Sequence, residues 1–233
     1  MITPQHRTAM PSRRTVLRRA LLTGAAVLTG SHLTGCSPSS PQPETSAPSQ
    51  SAATTGSSGR RVLLVYFSRP GENYYHGRRT DLKLGNTEVL ARKISSRITC
   101  DTYRVQAADP YPHDYDATVR RNVREQDTDA RPAIAGRLPA LDGYDTILLG
   151  SPIWNVRAPM IMTTFTEALD WRGKTVRPVT TYAMSGLGTT ARDYAASCPG
   201  ATIAEGLAVR GEQVERADSD IGAWLQRLGI PRA

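Results

Sequence analysis

Ser68, Gly71, Asn86 and Thr87 are residue types that hold a phosphate dianion, and they bracket an inserted polar stretch. The apolar run Val62-Leu63-Leu64-Val65-Tyr66-Phe67 leads into Ser68-Arg69-Pro70-Gly71, and Gly85-Asn86-Thr87-Glu88 opens the helix-like segment that follows. Hydroxyls and an amide donate hydrogen bonds, and glycines allow close backbone approach. The first-turn N–H groups of a helix are unpaired and lie at the positive end of its dipole. The chemistry is binding of a phosphorylated cofactor. Taken alone, the same residues also fit a helix N-cap at Asn86 after a long surface loop.

Two further loops carry unusual content. In Pro152-Ile153-Trp154-Asn155-Val156-Arg157-Ala158-Pro159, the Trp154 indole either stacks on a flat heteroaromatic ring or packs under the following helix. In Ser185-Gly186-Leu187-Gly188-Thr189, the two glycines either let backbone N–H groups reach a ring's polar edge or make an ordinary turn. Other chemistries lack their residues. Beyond the N-terminal segment only His76 and His113 occur, with no Cys/His ligand spacing, so a metal site is not expected. Neither a Gly-x-Ser-x-Gly elbow nor a Gly-Lys-Ser/Thr phosphate loop is present, and no Gly-x-Gly-x-x-Gly follows the first strand. His113, beside Asp114, reads as a surface or capping residue, and no catalytic residue is assigned.

The elements that must position these loops alternate between continuous apolar runs and amphipathic stretches. Strands are expected at Arg61 to Phe67, Thr102 to Gln106, Asp145 to Ser151, Thr175 to Met184 and Ile203 to Val209. Helices are expected at Asn86 to Ile98, His113 to Arg124, Met160 to Leu169, Thr189 to Ala196 and Val214 to Leu228. Five βα units predict an α/β fold, a doubly wound five-stranded parallel sheet with helices on both faces. Ligands then bind at the carboxyl ends of the strands, between the first and third, where all three loops converge. The insertion Glu72 to Leu84 either folds as a flap over that crevice or protrudes.

With the loops in that order, the chain resembles the flavodoxin family, in particular a bacterial branch with an insertion in the phosphate loop. The motifs are Gly71-Glu72-Asn73-Tyr74, Gly85-Asn86-Thr87-Glu88, Pro110-Tyr111-Pro112 before Asp114-Tyr115, Asp129-Ala130-Arg131-Pro132, Gly150-Ser151-Pro152-Ile153-Trp154, Ser185-Gly186-Leu187-Gly188, Cys198-Pro199 and Glu205-Gly206-Leu207-Ala208. They span Val62 to Ile230. The resemblance implies non-covalent FMN, with its phosphate at Ser68, Gly71, Asn86 and Thr87. It implies that the isoalloxazine lies against Pro152, Ile153, Trp154 and Asn155 and against the loop of Ser185, Gly186 and Gly188. Two departures stand out. The family commonly has Trp-Trp-Gly where this chain has Trp154-Asn155-Val156, and often has Tyr where this chain has Ser151.

Charge and composition narrow the partners. The net charge of +8 is concentrated at the front: residues 1–35 hold five arginines and no acid, and the rest carries 24 bases against 21 acids. That balance does not call for nucleic acid. Ser12-Arg13-Arg14-Thr15-Val16-Leu17, a mild apolar run from Ala20 to Leu33 and Leu33-Thr34-Gly35-Cys36 read as an export signal. The signal resembles a twin-arginine type, with Cys36 as the lipidated residue of a lipobox. Residues 37–59, rich in Ser, Pro, Thr and Ala, read as a tether, and 60–233 as the folded domain. The expected location is the outer face of the cell membrane, held by the lipid anchor. Cys100 and Cys198 are expected at opposite edges of the sheet, too far apart to bridge. Three functions follow: an FMN electron carrier serving a redox partner or small acceptor, an FMN-dependent NAD(P)H/quinone-type reductase, or a degenerate flavodoxin-fold binding module without FMN.

Overall fold

A computed structural model describes residues 61–230. Residues 1–60 and 231–233, which include the expected export signal, Cys36 and the tether, lie outside the described residues. In chain order the elements are β1 (Val62–Phe67), β2 (Gly71–Tyr75), β3 (Arg78–Leu82), α1 (Asn86–Ser95), β4 (Asp101–Val105), α2 (Tyr115–Asp127), β5 (Thr146–Pro152), α3 (Met160–Glu167), β6 (Thr175–Tyr182), α4 (Thr190–Ser197), β7 (Thr202–Ile203), β8 (Leu207–Arg210), a 3₁₀ turn (Gly211–Arg216) and α5 (Asp218–Leu228).

The central strands are apolar in succession because both of their faces are covered. Along β1, Val62 and Leu64 enter one core with Leu90, Ile94 and Trp224, from α1 and α5. Leu63, Val65 and Phe67 enter the other, with Ile161 and Phe165 of α3 and Tyr194 of α4. β5 repeats the alternation, with Leu148 on the first face and Ile147 and Leu149 on the second. Full burial of a side chain such as Leu64 or Phe165 contributes roughly 1.5–3 kcal/mol. The strands form one parallel sheet in the order β4-β1-β5-β6-β7, with β8 also paired to β6. The chain starts centrally at β1, moves outward to β4, then crosses to β5. The carboxyl ends of β1 and β5 therefore border the crevice expected at a switch point.

The fifth strand position differs from the continuous Ile203 to Val209 strand expected. It is split into β7 and β8, and the register against β6 moves from Val176↔Ile203 to Val179↔Leu207, so one extra residue enters on the outer side. The break faces Pro178. The Val176 carbonyl accepts from Ala204 N at 2.9 Å, which places the backbone groups of Val176 and, by alternation, Pro178 toward this edge. Proline has no N–H to continue the ladder, and a residue is bulged where the bond would have been. Helix α2 begins at Tyr115, two residues later than expected, because the Asp114 carboxylate caps it by accepting from Ala117 N at 2.6 Å. The Val214 to Leu228 helix is divided into the 3₁₀ turn and α5.

The insertion is an antiparallel hairpin, β2 paired with β3. Its two-residue turn, His76 (φ 50°) and Gly77 (φ 78°), has positive φ at both positions, as the tightest hairpins require. Cys100 and Cys198 are free thiols on opposite faces of the sheet. Burial pushes Cys198 up to about 12 and Cys100 up to about 11, so neither is a ready nucleophile at neutral pH. Among the described residues no helix is long and apolar enough to cross a membrane, and no cluster of His, Cys, Asp and Glu is placed to hold a metal.

Candidate functional site

The end of β1 and the start of α1 meet at one contact that only glycine permits. Gly85 precedes the helix, and a Cβ there would lie 2.3 Å from Ser68 Oγ and 2.4 Å from the Arg69 carbonyl oxygen. Gly85 has no side chain to cap α1, and the cap comes from Ser68, whose Oγ accepts from Glu88 N at 3.0 Å across 20 residues. The Ser68 hydroxyl keeps its own proton to donate, beside the first-turn N–H groups of Asn86 and Thr87, which have no partner among the described residues. The Thr87 hydroxyl pairs with that of Thr181 at the end of β6, at 2.7 Å. If Thr181 donates, Thr87 Oγ1 keeps its own proton for a ligand. The Asn86 amide packs against Gly211, where a Cβ would come within 2.5 Å of Nδ2.

These groups border a cleft at the carboxyl ends of β1, β5 and β6, with an enclosed volume of about 120 Å³. Ser68, Asn86, Thr87, Pro152, Ile153 and Trp154 line it, together with Arg69, Thr181, Tyr182 and Ala183. Roughly 300 Å³ or more is usual for a cofactor-sized ligand. The enclosed part therefore suits a phosphate-sized group, and a larger ligand must extend along the open rim. Ile153 N donates to the Thr181 carbonyl at 2.8 Å and locks the β5 and β6 walls together.

The hairpin forms one side of the cleft through Asn73 and Tyr74, facing Tyr115 of α2 and Glu212 of the 3₁₀ turn. It is fixed at both ends. At α2, Arg79 makes a bidentate pair with Asp116 at 2.6 Å, and Glu72 Oε2 accepts from Tyr115 N at 3.1 Å. At its tip, His76 N donates to Glu212 Oε1 at 2.6 Å and Tyr75 OH to the Glu212 carbonyl at 3.3 Å. The insertion therefore lies against the cleft, tied to α2 and to the 3₁₀ turn.

Arg69 is buried in the wall, 8 % exposed. Its Nη1 donates to the carbonyls of Pro112 and His113 at 2.9 Å, its Nη2 donates to the Glu72 carbonyl, and its Nε has no partner among the described residues. Burial lowers its pKa, with nearby Glu72 and Asp114 opposing that shift. A guanidinium held on neutral carbonyls with one donor unused leaves net positive charge beside the cleft.

Not every residue expected at the site lines this cleft. Gly71 lies outside the lining, and its φ of 96° serves a close approach to His113, whose carbonyl oxygen would lie 2.9 Å from a Cβ at this position. Asn155, Ser185, Gly186 and Gly188 are also absent from the lining. Asn155 Nδ2 donates to Gln126 Oε1 at 3.0 Å. Ser185 and Gly188 close a turn at 2.8 Å, and the Gly186 carbonyl accepts from Thr180 Oγ1 at 3.0 Å. A Cβ on Gly188 would meet the Val156 carbonyl at 2.2 Å, so that glycine serves loop packing. Trp154 borders the cleft and packs edge-on against Phe67 and Tyr111, with centroids at 5.7 and 5.2 Å, and not under the helix that follows it.

Residues 154–157 make a second two-residue hairpin turn, with Asn155 at φ 50° and Val156 at φ 66°. Val156 therefore occupies the position that Gly77 fills in the first hairpin. A β-branched residue there is strained. Val156→Gly is expected to raise stability by about 1 kcal/mol, the relieved strain partly offset by the looser unfolded chain. The urea midpoint reads this, and an unchanged or lower midpoint would show that the turn carries no strain.

Sequence comparison settles the family. A flavodoxin family profile matches residues 83–228, more than half of the chain. The chain belongs to the flavodoxin family. The matched segment of this flavodoxin begins at Lys83, after the hairpin. A solved candidate flavoprotein from Bacteroides eggerthii is 27% identical over 73% of this chain and 99% of its own, with a TM-score of 0.57. A second, from Bacteroides uniformis, is 29% identical over 70% of this chain and 99% of its own, with a TM-score of 0.54. A Lactobacillus acidophilus flavoprotein in complex with FMN shares the fold at 18% identity, over 68% of this chain and 98% of its own, with a TM-score of 0.50. No curated protein matches this flavodoxin in sequence.

Arg69, Thr181 and Glu212 are among the lining residues that sequence reading missed. Arg69 lay inside the first motif, where an arginine between Ser and Pro was a usable signal. Thr181 sits within a strand and Glu212 follows one, and neither carries a local mark.

Proposed function

We propose that this chain is an FMN-binding redox protein that passes electrons to a partner protein or a small acceptor from the outer face of the cell membrane. The observation that carries the reading is the end of α1. There the Ser68 hydroxyl, the Asn86 amide and unpaired first-turn N–H groups meet beside the buried Arg69 charge. That donor set fits a phosphate dianion, and the Gly85 contact leaves the cradle open only because no Cβ fills it. FMN, when bound, supplies one- and two-electron redox chemistry. Ser68, Asn86 and Thr87 would hold its phosphate, and Pro152, Ile153 and Trp154 would flank the ring along the open rim. The FMN bound by the Lactobacillus acidophilus flavoprotein supports the same reading. Twin-arginine export followed by lipidation at Cys36 would place the domain outside on its tether.

The test is to express the full chain, extract it from membranes and record its visible spectrum and released cofactor. A yellow protein releasing FMN is the expected result, and Cys36→Ser is expected to move it out of the membrane fraction. A colourless protein that takes up no added FMN would leave a binding module on a flavodoxin fold. Rapid NAD(P)H oxidation with a quinone would replace the carrier with a reductase. A Cys36→Ser protein that stays in membranes would remove the lipid anchor.

A further inference from the structure

A second and larger cleft lies on the far side of the Ser68–Arg69 wall, at the carboxyl ends of β1 and β4, with a volume of about 440 Å³. Its apolar surface comes from Phe67, Pro110 and Tyr111, and its polar surface from Arg69, Arg104 and Gln106. No carboxylate among the described residues lines it. His113 at its rim lies 3.0 Å from Asp81, and the permanent positive groups of the lining are the two arginines. Arg104 holds Glu88 through one nitrogen, Nη1, at 3.3 Å, and its side chain stays 36% exposed, leaving other donors for a ligand. Arg69 adds charge from within the wall.

The apolar side is rigid. Tyr111 OH donates to Glu125 Oε2 at 2.8 Å, and the Arg121 guanidinium sits 4.1 Å over the ring. Phe67 meets Tyr111 edge-on with centroids 5.3 Å apart. A cavity with fixed aromatic walls at one end and guanidinium donors at the other suits a flat apolar body that carries an anion. We infer that this cleft is a second ligand site, for a small organic carboxylate on a planar apolar body. Phe67 and Tyr111 form its wall and also back Trp154 of the first cleft, so a ligand here lies one aromatic layer from the phosphate-site cleft. The site stands on its own residues and does not require that FMN bind next door.

Titration calorimetry on the full chain with sodium 2-naphthoate tests it, with neutral 2-naphthalenemethanol as the comparison. Saturable one-to-one binding with a Kd at or below about 1 mM is expected, with the neutral compound at least about tenfold weaker. Arg104→Gln removes the charge that belongs to this cleft alone, and Ala135→Trp fills it from the exposed rim. Each is expected to weaken 2-naphthoate by about tenfold or more. FMN is expected to leave 2-naphthoate binding unchanged. Absence of saturation, equal affinity for the neutral compound, or full affinity in both variants would overturn the site. Displacement of 2-naphthoate by FMN would place the anion in the first cleft and overturn it as well.

Discussion

Gly85→Ala is expected to lower stability by about 3 kcal/mol and to weaken FMN at least about 100-fold. Backbone conformation is not the difficulty, since Gly85 has φ −68° and ψ 147°, which alanine adopts readily. The difficulty is the Cβ, 2.3 Å from Ser68 Oγ and 2.4 Å from the Arg69 carbonyl. Neither neighbour is the end of a flexible side chain. Ser68 is a two-atom side chain holding Glu88 N, and the Arg69 oxygen is backbone. To make room, the end of β1 must move away from α1. That motion breaks the cap and separates Ser68 from Asn86 and Thr87. Urea unfolding reads the stability loss, and paired titrations with FMN and riboflavin read the site. Near-normal FMN affinity in a folded Gly85→Ala protein would mean that the phosphate does not sit at this junction.

The second large effect concerns the hydroxyls. Ser68→Ala combined with Thr87→Ala removes two donors, each worth roughly 1.5–3 kcal/mol toward a charged phosphate, so a loss of more than about 100-fold in FMN affinity is expected. Both changes also act on the fold. Ser68→Ala uncaps α1, costing about 1 kcal/mol, and Thr87→Ala leaves the buried Thr181 hydroxyl without its partner. Riboflavin separates the two effects. It lacks the phosphate, so its affinity should fall far less than that of FMN. Equal weakening of both ligands would mean that the double variant acts through the fold alone. Unchanged FMN affinity would show that the phosphate lies elsewhere.

Much of the architecture was legible because it rests on local pattern. Arg61 to Phe67 and Asp145 to Ser151 read as central strands since their interiors are continuously apolar or small, as burial on both faces requires. The hairpin was not legible. Glu72, Asn73, Arg78, Arg79 and Asp81 carry no apolar alternation, and β2 and β3 are held by the His76–Gly77 turn and by polar contacts to α2 and the 3₁₀ turn. Pro178 was visible inside a strand, yet which edge its missing N–H faced depends on the register with β5 and β8. In the loop after β6, Ser185, Gly186 and Gly188 looked like ligand contacts. Glycine suits both a close ligand and a close backbone, and the sequence alone does not distinguish them.

By itself, the sequence determined the layered α/β arrangement, through burial on both faces of its apolar runs, and singled out Ser68 and Asn86–Thr87 as the two ends of the proposed phosphate cradle, through residue type. Tertiary structure alone decided how that cradle is completed. Ser68 caps a helix 20 residues away, Thr87 pairs with Thr181 94 residues away, and Arg69 is pinned by carbonyls at Glu72, Pro112 and His113. Each of these is a pairing of one polar group with another that no local pattern links to it. Hydrophobic periodicity records which residues are buried, but it does not record which buried polar groups meet.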